Sequence, residues 1–204
     1  MSDFPGRSTV YLLRHGPTDW NAEGRVMGRR PVPLSADGDR QLRARAPALS
    51  RLGIGSIWTS PVRRARETAD IVAEALGIDS VLELPDLTEV DYAEWEGRLF
   101  RELVAEPSFR EHFVDPLHGR APGGGESLHE VGERVGRALA AIRAASNGAP
   151  ALVVSHGDPL RMMIAGAIGL EPGAMRRLRI DPAGLSALAF GGPWPELAFL
   201  NQAS

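Results

Sequence analysis

Two stretches of this sequence follow one pattern, an apolar run that ends in a histidine–glycine pair: VYLLRHG at Val10–Gly16 and LVVSHG at Leu152–Gly157. Continuous runs of aliphatic and β-branched residues are typical of strands that are buried on both faces of a sheet. In an open α/β sheet the carboxyl ends of parallel strands lie along one edge, where such folds bind their ligands. The sequence therefore predicts that His15 and His156 face each other at that edge.

The rest of the chain alternates between strand and helix patterns. The predicted strands are Val10–Leu13, Ile54–Thr59, Val81–Leu84, Ala151–Ser155 and a closing hairpin of Leu185–Phe190 and Glu196–Leu200. The predicted helices are Ser35–Leu52 with a break at Pro47, Pro61–Leu76 ended by Gly77, a helix to Ala145 opened by a capping box of Ser127 and Glu130, and Asp158–Leu170 with Asp158 as N-cap. This alternation predicts an α/β fold, a three-layer α/β/α sandwich with a mostly parallel central sheet.

Length and composition exclude several classes of protein. The 204 residues suit a single domain over 1–204, with a small cap-like insertion at about 98–125. A formal net charge of −3 lacks the basic excess of nucleic-acid-binding proteins. There is no cysteine, which excludes disulfides and a cysteine nucleophile. No apolar run resembles a signal peptide or a membrane span, so we expect a cytoplasmic protein that binds neither nucleic acid nor membrane.

Cationic and acidic side chains accompany the two histidines. Arg14 directly precedes His15, and an arginine cluster, Arg63 to Arg66, opens the helix after the second strand. Helix N-termini and arginine forks both hold phosphate oxygens, although a solvated basic turn is the alternative and is what we expect of Arg63 and Arg66. The acid-rich segment Glu89–Glu96 offers one carboxyl group that could donate a proton.

Two arginines, two histidines and one carboxyl group together suit a dianionic phosphate ester. A neutral imidazole attacks phosphorus in line to give a phosphohistidine, and the cations stabilise the equatorial oxygens. A single histidine at a strand end is more often a packed or capping residue, but two in matching contexts favour catalysis. Metal binding by the pair is the weaker alternative, because no third ligand follows at close spacing.

These blocks, in this order, resemble the histidine phosphatase superfamily, which includes the cofactor-dependent phosphoglycerate mutases. The resemblance runs from Val10 to about Asn201. Each block is weak by itself, and their order along the chain makes the signal specific. The matching positions are Arg14-His15-Gly16, Thr18, Trp20, Asn21, Gly24-Arg25, Gly28, Pro33-Leu34-Ser35, Gly38, Ser60-Pro61, Arg64-Ala65, Thr68-Ala69, Glu89, Trp95-Glu96-Gly97, Gly123–Ser127, Val154–Gly157 and Arg161.

The resemblance implies specific roles. It assigns His15 as the nucleophile, and Glu89 as the general acid for the leaving oxygen and afterwards the base for water. The residues it places around the phosphoryl group are Arg14, Asn21, Gly28, Arg64, His156 and Gly157, of which Arg14, Arg64 and His156 bind it directly. It implies that the chemistry needs no metal and no organic cofactor.

Three residues depart from the family pattern. Pro17 stands where an acidic residue or glutamine is usual, and Ala93 and Asp158 stand where glycine is common. Ala93 puts the turn after Glu89 in question. Asp158 brings a carboxylate that could repel an anionic substrate.

The predicted function is hydrolysis of a small phosphorylated metabolite, with sugar phosphates, phosphoglycerate and α-ribazole phosphate as candidate substrates. A phosphoglycerate mutase is the alternative, but those enzymes are longer and carry a basic insertion where Glu89–Gly125 is short. A non-catalytic binding module is disfavoured because no catalytic residue is lost. The cap arginines Arg101, Arg110 and Arg120 either contact a second anionic group or form a solvated face. The sequence leaves the oligomeric state open, with a homodimer as the assembly to test.

Overall fold

The central sheet has the predicted, mostly parallel arrangement. The computed structural model describes residues 8–115 and 118–202. The prediction that no signal peptide is present concerns residues 1–7, which lie outside the described residues. Within the described residues the strands are β1 (Ser8–Arg14), β2 (Ser56–Thr59), β3 (Val81–Glu83), β4 (Ala151–Ser155), β5 (Leu185–Phe190) and β6 (Glu196–Gln202). They follow the order β3-β2-β4-β1-β5-β6. The first four run parallel, whereas the pairs β1–β5 and β5–β6 are antiparallel.

The α-helices cover both faces of this sheet. They are α1 (Asp19–Glu23), α2 (Ala36–Arg45), α3 (Arg63–Leu76), α4 (Phe100–Leu103), α5 (Pro107–Val114), α6 (Leu128–Ser146) and α7 (Gly157–Ile168). Short 3-10 helices lie at Ala46–Leu52, Pro85–Leu87, Ala93–Trp95 and Pro172–Arg177.

Neighbouring residues of β1 point into two different hydrophobic clusters, as the pleat of a strand requires. Leu12 belongs to the cluster that α6 and α7 complete, whereas Leu13 belongs to the cluster that α2 and α3 complete. All five residues of β4 are buried, because helices cover the sheet on both sides. The predicted three-layer α/β/α sandwich is therefore confirmed.

The strand register brings the two histidine–glycine pairs to the same edge of the sheet. Arg14, the last residue of β1, lies opposite Ser155, the last residue of β4. His15 and His156 therefore leave the sheet side by side at its carboxyl edge. Ser60 follows β2, which pairs with β4 on the other side, so it reaches the same edge.

Helix boundaries show where local signals were correct and where they were not. The capping box of Ser127 and Glu130 is formed, and α2 gives way to a 3-10 helix at Ala46, just before Pro47. The assignment of Asp158 as an N-cap is wrong: the N-cap of α7 is His156, and Asp158 lies in the first turn. β4 runs to Ser155 and α7 begins at Gly157, so the single connecting residue must cap the helix.

The segment from Glu89 to Ser127, which contains the predicted cap-like insertion at about 98–125, has its own small hydrophobic cluster. Trp95, Leu103, Phe109 and Ala121 are buried together there. Of the described residues, no helix combines the length and the apolar character that a membrane span requires.

Candidate active site

His15 is placed as a neutral base with a free nitrogen. Its side chain is fully buried, and Nδ1 lies 2.7 Å from the carbonyl oxygen of Gly16. A carbonyl only accepts, so Nδ1 carries the proton and the lone pair is on Nε2. Nε2 is buried and hydrogen bonds to none of the described residues. Burial, with the charges of Arg64 and Arg14, holds the pKa of His15 well below its ordinary value, so the ring is neutral at pH 7.

His156 faces this ring from the neighbouring strand. The two ring centroids are 5.3 Å apart. Nε2 of His156 lies 2.8 Å from the Ser60 hydroxyl oxygen, which also accepts from the backbone N–H of Val62. When that hydroxyl donates to Nε2, the proton of His156 is on Nδ1, an atom that is buried without a partner in the described chain. His156 can then donate to an oxyanion beside His15.

Two arginines, the partly buried Arg14 and the fully buried Arg64, flank the histidines and form no ion pair with a described residue. Arg64 donates to the carbonyl oxygens of Arg30 at 3.1 Å and Gly28 at 2.9 Å. Arg14 donates to the carbonyl of Ile180 at 2.7 Å. Nε of both side chains is buried and unpaired, and neither forms an ion pair within 8–115 or 118–202. Burial lowers the pKa of Arg64 to about 10, so it is still charged at neutral pH.

Buried charges without a counter-ion are costly, on the order of several kcal/mol each. A protein keeps two of them together where an anion completes the site. The arrangement of Arg14 and Arg64 around His15 therefore forms a candidate anion site, whose ligand carries enough negative charge to compensate both guanidinium groups.

Glu89 is buried at the same edge, after the 3-10 turn that follows β3. Its backbone carbonyl accepts from Arg134 at 3.2 Å and from Arg29 at 3.3 Å, which fixes the loop. Its carboxylate accepts from the backbone N–H of Val90 at 3.0 Å. Burial and the nearby Asp158 raise the pKa of Glu89 to about 7, while Arg64 and Arg14 act in the opposite direction. A carboxyl group with this pKa can both donate and accept a proton near neutrality.

A cavity of about 330 Å³ opens above these residues. Of the residues assigned from sequence, its lining includes Arg14, Asn21, Gly28, Glu89 and Gly157. His15, Arg64 and His156 are fully buried and do not line it, but they lie beside the lining residue Arg14. The structure thus brings the predicted site residues together.

Three of these residues also shape the backbone. Asn21 accepts from the Thr18 backbone N–H at 3.0 Å in the capping box of α1, which ties the pocket wall to that short helix. Gly28 has φ 49°, and a Cβ there would lie 1.9 Å from Glu96 Oε1. At Gly157, a Cβ would lie 3.2 Å from Nη1 of Arg161, so the first turn of α7 is tightly packed against the pocket.

Sequence reasoning missed part of the cavity wall. Trp20, Gly24, Arg25 and Arg161 matched the family pattern, and Asp158 was noted as a carboxylate near the substrate, but none of them was assigned to the pocket. The lining residues without any signal in the sequence are Val26, Met27, Tyr92, Phe100, Phe109 and Arg176. Arg101, Arg110 and Arg120 do not line the cavity: Arg101 is exposed, Arg110 binds the Val104 carbonyl, and Arg120 pairs with Glu130. These three arginines therefore form a solvated face in this structure, the second of the two predicted alternatives.

The structure also shows the conformations of Ala93 and Pro17, which depart from the family pattern, and the surroundings of the remaining candidate residues. Ala93 adopts φ 42°, so the turn after Glu89 forms even though its left-handed conformation favours glycine. The Pro17 carbonyl accepts from the Ser35 backbone N–H at 2.9 Å, which anchors the loop after His15 to the start of α2. Arg63 and Arg66 form surface ion pairs, as expected of a solvated turn. No group of three metal-binding side chains occurs in the described part of the chain.

Comparison with known proteins places this site in a family. The family model of the histidine phosphatase superfamily (branch 1) matches residues 10–203. A Serratia proteamaculans protein named probable phosphoglycerate mutase GpmB is 40% identical over 188 residues, which are 91% of this chain and 86% of that protein.

Solved structures agree with the family model. A putative alpha-ribazole-5'-P phosphatase of Escherichia coli superposes with a TM-score of 0.84 at 30% identity, covering 96% of each chain. A mycobacterial glucosyl-3-phosphoglycerate phosphatase in complex with VO3 superposes with a TM-score of 0.85 at 28% identity, covering 96% of this chain and 100% of the other. This chain therefore belongs to the histidine phosphatase superfamily, branch 1.

Proposed function

We propose that this protein is a phosphatase that hydrolyses a small phosphomonoester through a phosphohistidine on His15. The observation that carries the proposal is the pair of arginines, Arg14 and Arg64, whose Nε atoms are buried and unpaired, beside the unpaired Nε2 of His15. A dianionic phosphoryl group compensates both charges and presents its phosphorus to that nitrogen. The cavity above is of the size that small molecules occupy.

The proposed reaction has two steps. Nε2 of His15 attacks phosphorus, the N–P bond forms, and the P–O bond to the leaving alcohol breaks as Glu89 gives that oxygen its proton. Water then attacks the phosphohistidine, Glu89 takes the water proton, and inorganic phosphate leaves while His15 is restored. Arg14, Arg64 and the Nδ1 proton of His156 stabilise the equatorial oxygens in both transition states. No step requires a metal ion or an organic cofactor.

A phosphoglycerate mutase is the second candidate, and the name of the Serratia relative favours it. A mutase must keep the phosphorylated enzyme from water and return the phosphoryl group to a second oxygen of the same substrate. The short segment Glu89–Gly125 argues for the phosphatase, because it provides less chain to cover the pocket. An assay can distinguish hydrolysis by a phosphatase from isomerisation by a mutase.

Phosphate release should distinguish the two. We expect the purified protein to release inorganic phosphate from members of a panel of phosphomonoesters, at rates far above the isomerisation of 3-phosphoglycerate in the presence of 2,3-bisphosphoglycerate. Because the charge in the pocket comes from arginines, a chelator should leave the rate unchanged. Isomerisation that exceeds hydrolysis would assign the mutase instead, and loss of activity on chelation that zinc restores would favour a metal site.

The aromatic wall of the cavity should select the leaving group. Phe100 and Phe109 both line the cavity, with ring centroids 5.3 Å apart and edge-to-face geometry. Phe100→Ala should raise KM about tenfold for the phosphomonoester that the wild type prefers, the scale of a lost aromatic contact, because part of the apolar wall is removed. Methyl phosphate, which does not reach that wall, should be unaffected.

The neighbouring residue gives a matched control for this prediction. Arg101→Ala changes the next side chain, which is exposed and does not line the cavity, so KM should stay at the wild-type value. Equal losses on both esters in Phe100→Ala would show that the segment is structural, not selective.

A further inference from the structure

Two carboxyl groups line the cavity, and their hydrogen-bond environments differ. Asp158 and Glu89 are almost equally buried, at 8% and 9% exposure, so burial alone does not distinguish them. Oδ2 of Asp158 accepts from the Tyr92 hydroxyl, and Oδ1 accepts from Nη1 of Arg161 at 2.8 Å. From the described residues the carboxylate of Glu89 accepts one hydrogen bond, from the backbone N–H of Val90.

The difference in the number of hydrogen-bond donors decides which of the two carboxyl groups holds a proton. Two carboxylates that share a low-dielectric site do not both ionise easily, and the proton goes to the group whose charged form has fewer donors. Asp158 has a donor on each oxygen, one of them a guanidinium. Arg161 is itself fixed by a bond from Nε to the Leu178 carbonyl at 2.8 Å, so the charge of Asp158 is held in place.

We propose that Asp158 is a positioning residue that acts through Glu89: its fixed negative charge keeps Glu89 protonated at neutral pH, ready for the leaving oxygen. This inference rests on the proposed phosphatase function. Asp158 neither binds the phosphoryl group nor touches the reacting atoms in this scheme. It supplies a charge that the family pattern, with glycine common at this position, does not require.

The surroundings of Glu89 contain charges of both signs. The charged and titratable groups nearest to it are Arg14 at the end of β1, Arg64 on α3, Tyr92 on its own loop, Asp158 on α7, and Arg29 and Arg134, which bind its backbone carbonyl. Arg161 and Arg176 line the same cavity, and His15 and His156 lie beside the two arginines Arg14 and Arg64. Asp158 is the carboxylate that raises the pKa of Glu89 in this set; without it, burial is left to oppose Arg64 and Arg14, and the pKa of Glu89 falls.

The pKa directions agree with the geometry. Burial raises the pKa of Glu89, Asp158 raises it further, and the result is about 7. Burial also raises the pKa of Asp158, but Arg176 and Arg161 outweigh it and leave the pKa of Asp158 below its ordinary value. When the pair of carboxyl groups holds one proton, that proton is therefore on Glu89.

The test is the pH dependence of phosphorylation in Asp158→Asn. With an alkyl phosphate, the rate of phosphohistidine formation should fall as pH rises through the pKa of Glu89. This decline is the basic limb of the pH profile. Removing the charge of Asp158 should move the basic limb to lower pH by about one unit, so that the rate at about pH 7.5 falls roughly tenfold. A nitrophenyl phosphate needs no proton on its leaving oxygen and should lose little.

A matched control is Asp86→Asn, which removes the same charge three residues before Glu89. Asp86 pairs with Arg137 at the surface and does not line the cavity, so the basic limb should stay in place. If the limb of Asp158→Asn also stays, or if both esters slow equally, Asp158 is merely structural and the proposal is wrong.

A second measurement does not depend on activity. Carbon-13 NMR can titrate the Glu89 carboxyl directly, with its signal assigned by its loss in Glu89→Gln. We expect a lower Glu89 pKa in Asp158→Asn, and in Asp158→Gly if circular dichroism shows that the asparagine variant does not fold. A wild type that forms no phosphohistidine overturns the proposed function alone, because the titration still reports on Asp158. Phosphohistidine with an unmoved Glu89 pKa overturns this inference alone.

Discussion

Replacing His15 with alanine should lower turnover at least about a thousandfold, equivalent to roughly 4 kcal/mol of activation barrier. The reason is that Nε2 of His15 is the unpaired, neutral nitrogen beside Arg14 and Arg64, and the alanine variant loses the proposed covalent route. The wild type should be mixed with substrate and quenched rapidly, and mass spectrometry should then find the acid-sensitive phosphate adduct on His15. The His15→Ala protein should carry none.

A surface histidine provides the control for this experiment. His129 is exposed on α6, its Nε2 lies 3.7 Å from Oε1 of Glu133, and it does not line the cavity. His129→Ala should retain wild-type turnover and the adduct on His15. Near-wild-type activity in His15→Ala, or phosphate on another residue, would reject the covalent mechanism.

Glu89→Gln should slow the phosphorylation step with an alkyl phosphate about a hundredfold, within the usual range for general acid catalysis. An alkyl alcohol leaves poorly without a proton, whereas a nitrophenolate leaves unaided, so nitrophenyl phosphate should be affected far less. The raised pKa of Glu89, about 7, gives the sign of the pH dependence. The acid form is lost as pH rises past 7, so the wild-type rate with the alkyl ester should fall there, and Glu89→Gln should lack that limb.

The two steps must be separated, because Glu89 is also proposed to activate water. A pre-steady-state burst of released alcohol isolates phosphorylation from the later hydrolysis. Glu94→Gln is a suitable control, since Glu94 is an exposed acid of the same segment and does not line the cavity. Equal slowing with both esters would mean that Glu89 acts electrostatically or structurally and not as the acid.

The amino-acid sequence was enough to predict the architecture and the charged centre of the candidate site. The run Ala151–Val154 is apolar throughout and too short for a buried helix, which is typical of a strand covered on both faces, so the layered fold follows from local pattern. The edge at which His15 and His156 meet follows from parallel strands that end at the same level. Capping signals such as Ser127 with Glu130 act within one turn and are therefore readable from the chain alone.

The packing of the whole chain sets the pKa values of these residues and the side chains that surround them. Tyr92 and Asp158 are 66 positions apart, and nothing local indicates that the hydroxyl of one binds the carboxylate of the other. The local pattern at Asp158 fits an N-cap equally well, and it was wrong because the length of β4 fixes where the helix begins. Burial and the charges of distant residues set the pKa of Glu89, and both depend on how the whole chain packs, which residue identity and spacing along the sequence do not specify.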